Sequence, residues 1–404
     1  MSLLSPEIAK TVAGSSLIRK MFEAGIALKK EYGAENVYDF SLGNPDLPPP
    51  DSVKAALMEI AESCGKPFAL GYMPNAGYPE TRAALAGLVS TTQQMETPAA
   101  NIVVTCGAAG GLNACFRAVL SPGDEVVCPS PYFVEYGFYT GNFGGTLVPA
   151  PTHLPDFSLD VEALDRAITK QTRAVIINSP NNPTGQIYTQ AELDALGDVL
   201  RRRSREFGRT ILLLSDEPYR FLNFDGETIP SIFKIYAASV VIGSFSKSLS
   251  LAGERIGYIA VCPALDDAET LINGLILTNR ILGFVNAPAV AQRILQRCLH
   301  SEVDVDIYRR RRDAMARMLD AAGIAYSLPK GAFYFFAQSP VPDERDFVAA
   351  LLQERVLAVP GRGFGLPGHF RLAFCVDETT IRNATESFKR AVASVRSGSA
   401  ASLS

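Results

Sequence analysis

Residues 243–257 read "GSFSKSLSLAGERIG". The apolar run "ASVVI" leads into them, and serines, a lysine, small residues and an arginine follow. A short apolar run bounded by small polar residues reads as a buried strand. This one ends on Lys247, a residue type that is costly to bury and whose pKa shifts readily when it is buried. Taken alone, Lys247 could equally be a surface lysine whose stem lies along apolar neighbours. What ends the other strands decides between the two.

Similar runs recur through the middle of the chain, separated by helical patterns: "NIVVTCG", "DEVVCPSPY", "RAVIINSPNNPTG", "ILLLSDEPY", "SVVIGSFSK" and "GYIAVCP". Such alternation predicts an α/β fold with a largely parallel sheet covered by helices. From "RRRDAMARMLDAAGI" onward the pattern changes to α+β, which predicts a second, smaller domain. We expect an N-terminal segment 1–48 belonging to that small domain, a large domain over 49–287, the small domain over 288–395 and a disordered tail over 396–404.

Ligands of open parallel sheets bind beyond the carboxyl ends of the strands. After "NIVVTC" come Gly107, Ala108 and Ala109, then a helix, a turn whose free N–H groups suit phosphate. After "RAVIIN" comes "SPNNPTG" with Asn182, and after "ILLLS" come Asp216 and Tyr219. After "SVVIG" come Ser244, Ser246, Lys247 and Arg255. Each has a plain reading: packing turn, Asn-Pro turn, helix cap, surface lysine. Together they put phosphate-binding amides, an amide side chain, an acid with a tyrosine, and a lysine with an arginine in one crevice. Pyridoxal phosphate asks for that set: a lysine for its Schiff base, a carboxylate for its ring nitrogen and a cup for its phosphate.

The bulk numbers fit such an enzyme. The chain has 404 residues, 47% hydrophobic and 20% charged, enough for more than one domain. A net charge of -4 gives no reason to expect a nucleic-acid partner. No apolar run approaches the ~20 residues of a membrane span, and no signal peptide is expected. Seven scattered cysteines without a C-x-x-C pair suit reduced thiols and a cytoplasmic location. The three histidines, His153, His300 and His369, lie far apart, so we expect no metal site and no histidine base.

From "SLGNPD" to "FRLAF", and most specifically in "NNPTG", "SDEPY" and "SFSKSLSLAGERIG", the chain resembles the class I, fold-type I aminotransferases of the aspartate aminotransferase superfamily. The resemblance implies a mostly parallel seven-stranded sheet between helices, pyridoxal phosphate as cofactor and a homodimer with shared active sites. It implies that Lys247 holds the cofactor and moves the proton, that Asp216 pairs with the ring nitrogen, and that Asn182 and Tyr219 bond its phenolic oxygen. Phe133 then stands where an aromatic stacks on the ring. Gly107, Ala108, Ala109, Ser244, Ser246 and Arg255 take the phosphate, with Tyr72 reaching that of the neighbouring subunit. Arg371 takes the substrate α-carboxylate two-pronged, with Asn182 and Gly43 beside it. Without the resemblance, Arg371 reads as a surface ion-pair arginine.

The expected reaction moves an amino group between an L-amino acid and a 2-oxo acid by a ping-pong cycle, with aspartate and 2-oxoglutarate as one candidate pair. A carbon–sulfur β-lyase on the same fold is the alternative, and a non-catalytic effector domain of a regulator is a third reading. Arg280, in "TNRILGFVNAPA", lies where some aspartate-specific members place an arginine from the other subunit; a solvated helix arginine is the plain reading. Ser15, Ser16 and Ile18 lie where an N-terminal segment would close over the substrate.

Overall fold

The structure, a computed structural model, describes residues 3–5, 8, 9, 12 and 17–401. Ser15, Ser16 and the Ile18 side chain, expected near the substrate, lie outside the described residues.

In chain order the strands are β1 (Tyr38–Asp39), β2 (Ile102–Thr105), β3 (Glu125–Ser130), β4 (Thr146–Pro151), β5 (Thr172–Asn178) and β6 (Leu212–Asp216). They continue with β7 (Ser239–Ser244), β8 (Gly257–Val261), β9 (Tyr334–Gln338), β10 (Val356–Leu357), β11 (Val359–Pro360) and β12 (His369–Ala373). Seven form one sheet in the order β2–β8–β7–β6–β5–β3–β4. Its pairs are parallel except for β8, which lies antiparallel between β2 and β7.

Residues of β7 alternate between two cores, as strand geometry requires. Val240 and Ile242 join a core with Leu112 and Phe116 of the helix Gly107–Val119 and Leu193, Leu196 and Leu200 of the helix Gln190–Phe207. Val241 faces a second core with Leu85 and Val89 of the helix Pro79–Thr92 and Ile294 and Leu295 of the helix Ala289–Cys298. That last helix therefore packs on the large-sheet side of the boundary expected at residue 288. The chain reverses between β3 and β5: β4 lies on one side of β3, while β5, β6 and β7 build outward on the other. A crevice opens at such a reversal.

The smaller part is an antiparallel sheet, β11–β12–β9, with the helices Val305–Ala322, Glu344–Gln353 and Thr385–Ala401. Phe40 and Tyr219 share its core, so the N-terminal segment and the loop after β6 are bound into it. The last helix runs to Ala401, where the sequence reading expected a disordered tail from 396. Among the described residues no helix is long and apolar enough to cross a membrane.

Candidate active site

The ends of β5, β6 and β7 meet the loop 41–43, Phe133, the helix Glu135–Gly141 and the strands β9 and β12 around a cavity of about 350 Å³. Lys247 lies three residues beyond β7 and donates from Nζ to the Gly43 carbonyl at 2.5 Å. Burial lowers its pKa to about 8, and Arg371 and Arg255 push in the same direction. A share of the amine is thus neutral near physiological pH, as a nucleophile or base requires.

Asp216 ends β6 and is 5% exposed. Tyr136 donates to its Oδ2 at 2.6 Å, while Oδ1 is buried with no partner. Burial pushes the carboxyl up to about 7 against the opposing pull of the Tyr136 bond. Asn178, the last residue of β5, fastens the neighbouring strand end. Its Nδ2 donates to the Asp216 carbonyl at 2.7 Å, and its Oδ1 accepts from the Asn182 N–H at 2.7 Å. Asn181 then closes the NNPTG turn by accepting from the N–H and hydroxyl of Thr184.

Arg371, on β12, is 3% exposed and faces no carboxylate among the described residues. Its Nη1 donates to Asn182 Oδ1 at 3.1 Å and its Nη2 to the Ser41 carbonyl at 2.6 Å, while Nε has no partner. The rings of Tyr334 and Phe364 each lie 4.6 Å from its Cζ. Burial lowers its pKa. A buried guanidinium held only by neutral acceptors is an expensive resting state that a carboxylate would relieve.

The helix Gly107–Val119 starts with no side-chain cap and no acid in its first turn, so its first amides are free. Arg255 stands beside them: a Cβ on Gly107 would come within 3.0 Å of its Nη2. The Ser244 hydroxyl donates to Ser246 Oγ at 2.9 Å. Gly257 lets β8 pass close, because a Cβ there would lie 2.7 Å from the Gly107 carbonyl carbon and 2.9 Å from the Ala108 nitrogen. A positive pole and a guanidinium around a glycine cradle make an anion site.

The cavity therefore brings together Gly43, Ala108, Ala109, Phe133, Asn182, Asp216, Tyr219, Ser244, Ser246, Lys247, Arg255 and Arg371. Gly107 adjoins them through Arg255. It does not include Tyr72 or Arg280. Tyr72 is 93% exposed beside Phe284 and Val285, and Arg280 is exposed in the last turn of the helix Ala268–Ile281. Residues that sequence reasoning missed are Asn178, Tyr136, Tyr334, Glu135 and Tyr139. The nearest signal was the "SPYFVEY" stretch, of which only Phe133 was read. A larger cavity, about 480 Å³, lies across the Ser244–Ser248 segment. Its buried Glu217 is already answered by Arg220 at 3.2 Å and by Gln93 and Ser215, so it holds no spare charge for chemistry.

The sequence profile of the class I and II aminotransferases matches residues 35–388. The chain belongs to this family. It is 34% identical over 355 residues to the aspartate/prephenate aminotransferase of Thermus thermophilus, covering 86% of this chain and 89% of that one. It is 30% identical over 407 residues to the aspartate aminotransferase of Bacillus subtilis, covering 96% and 99%. Among solved structures, an aminotransferase of Eubacterium rectale superposes with a TM-score of 0.91 at 38% identity, covering 96% of this chain and 98% of that one. The Thermus thermophilus aspartate aminotransferase with maleate superposes with a TM-score of 0.85 at 30% identity, covering 97% and 100%. The protein is a pyridoxal-phosphate-dependent aminotransferase with the α/β fold of that family. The lyase alternative is not favoured.

Proposed function

We propose that this cavity holds pyridoxal phosphate on Lys247 and receives the α-carboxylate of an L-amino acid on Arg371. The observation that carries the reading is the orphaned Asp216 Oδ1. A buried carboxyl oxygen without a donor is a standing cost, and a protonated ring nitrogen would remove it. The other donors suit the same group: Asn182 and Tyr219 for the phenolic oxygen, and Arg255, Ser244, Ser246 and the amides of Gly107, Ala108 and Ala109 for the phosphate. Phe133 offers the apolar wall for the ring face. When bound, the cofactor supplies an electron sink for the substrate α-carbon.

The chain's own groups do the rest. Arg371 orients the substrate by a forked contact to its carboxylate. Lys247 moves a proton at the substrate α-carbon. With a pKa of about 8, roughly a quarter of its amine is neutral at pH 7.5, which suits a base. Asp216 holds negative charge deep in the site, and Tyr136 keeps it in place.

The amino donor is set by the far end of the cavity. The cations lining it are Lys247, Arg255 and Arg371, each already assigned, and Glu135 lines it as well. Among the described residues of this chain no further cation lines the cavity, so we assign the cation that a dicarboxylic amino acid needs to a second copy of the chain. Tyr72 and Arg280 are exposed, and so are Phe68, Leu70, Leu277 and Ile281, apolar side chains that a second copy of the chain would cover. We read the active form as a homodimer in which those two residues complete the neighbouring site, Arg280 for a distal carboxylate as in an aspartate/2-oxoglutarate exchange. Lys247→Ala tests the core of this proposal. It should abolish both the visible absorbance of bound cofactor and amino transfer while leaving circular dichroism unchanged; retained turnover would overturn it.

A further inference from the structure

Tyr334 opens β9 and is 2% exposed, yet it reaches the wall of the cavity. Its hydroxyl lies 3.0 Å from that of Tyr219. Its ring lies 4.6 Å from the Arg371 guanidinium carbon. Its oxygen fills the space beside Gly43, where a Cβ would lie 1.9 Å from it. One phenol thus touches the cation proposed for the substrate carboxylate, the tyrosine proposed for the cofactor and the backbone whose carbonyl accepts from Lys247.

The two hydroxyls bring two protons, and the bond between them uses one. The other can leave through Tyr219 or through Tyr334, but not through both while that bond stands. An acceptor on the cofactor side sets the direction Tyr334 to Tyr219. A carboxylate arriving at Arg371 offers Tyr334 a charged acceptor and favours the reverse. We infer that Tyr334 is a positioning residue that links the two ends of the site: filling the carboxylate subsite withdraws the hydrogen bond that Tyr219 gives to the cofactor's phenolic oxygen. The inference rests on the binding mode proposed above. The groups facing the pair are Arg371 on β12, Cys375 beyond it and Asp216 at the end of β6. Burial pushes the Tyr334 phenol up to about 12 and the Tyr219 phenol well above its ordinary value, so near neutrality the pair changes direction rather than charge.

With less hydrogen bonding, the phenolic oxygen holds more negative charge, and the Schiff base with Lys247 takes up its proton more readily. The test is a pH titration of the visible absorbance of the holoenzyme with and without saturating propionate, a carboxylate that cannot donate an amino group. In the wild type, propionate should raise the midpoint by on the order of one pH unit, about tenfold in the protonation equilibrium. In Tyr334→Phe most of that rise should vanish, while the ring remains over Arg371. Propionate affinity, which in the wild type should differ about tenfold between the two ends of the titration, should then become nearly independent of pH, as linkage requires. An equal rise in both proteins would assign the linkage to the Arg371–Asn182 bond and overturn the inference. If Tyr334→Phe does not fold, 2,3-difluorotyrosine at position 334 keeps the shape and makes the donor more acidic. A changed rise would then support the inference, and an unchanged one overturn it. A holoenzyme with no visible band would overturn the cofactor proposal itself, a result distinct from either.

Discussion

Tyr136→Phe removes one oxygen and leaves Asp216 buried with no donor to either carboxyl oxygen. A hydrogen bond to a charged group is worth about 1.5–3 kcal/mol, and one pKa unit corresponds to 1.36 kcal/mol, so the carboxyl should rise by about one to two units above its present value. That value, about 7, already exceeds the usual 3.8 because of burial. A folded-state pKa raised above the unfolded one means that the native chain holds the proton more tightly. The cofactor-free protein then loses stability as pH climbs from the free-carboxyl value, and the loss stops growing once pH passes the folded value. In the wild type this contribution should level off just above pH 7; in Tyr136→Phe it should keep falling towards pH 8 or 9. The assay is urea unfolding of both cofactor-free proteins between pH 5 and 9. Taking the difference cancels the titrations they share, that of Lys247 included. The stability gap should be small at pH 5 and wider by about 1.5–3 kcal/mol at pH 9. A gap that stays constant with pH would refute the claim that Tyr136 sets the ionisation of Asp216.

Two further outcomes follow from the geometry. Arg280→Ala should lower kcat/KM for aspartate and glutamate by roughly 10–100-fold, as loss of a charge-assisted contact does, and leave alanine within about twofold; equal losses for all three would count against a role at a distal carboxylate. Gly257→Ala presses a Cβ onto the backbone of Gly107, Ala108 and Gly243, which cannot yield cheaply. It should cost about 1–3 kcal/mol in urea titration and weaken retention of the cofactor, and unchanged retention would mean that this close approach does not shape the phosphate cup.

Strand ends were legible in the sequence because a buried strand announces itself as an apolar run, and the polar residues in the few positions after it have few places to go. Asn182, Asp216, Ser244 and Lys247 were found that way, and all four line the cavity. Tyr136, Tyr334 and Asn178 were not. Asn178 is itself the end of an apolar run, where its side-chain direction depends on the neighbouring strands. Tyr136 and Tyr334 sit in runs rich in apolar and aromatic residues, where a phenol looks like one more core ring. Only the packing of distant segments gives each hydroxyl its partner. The reversed β8 was hidden as well, since an apolar run carries no mark of its direction. The final helix was cut short by composition: the small polar residues of "SGSAASLS" resemble a tail, yet the helix continues to Ala401.

The carbonyls of Ser41 and Gly43 already occupy the two cations that matter most, Arg371 and Lys247. The segment carrying them is tied down nearby, where Asp46 receives both Nη groups of Arg311 at 2.6 and 2.9 Å. If Arg371 receives the substrate as proposed, the incoming group meets a guanidinium whose Nε is unpartnered and whose bonds go only to neutral oxygens. An amino-acid amide or ester would bring one more neutral oxygen to it. A carboxylate would bring the opposite charge that the burial lacks. The same loop would thereby favour acids over their amides and esters, a discrimination made by a charge left unanswered rather than by shape.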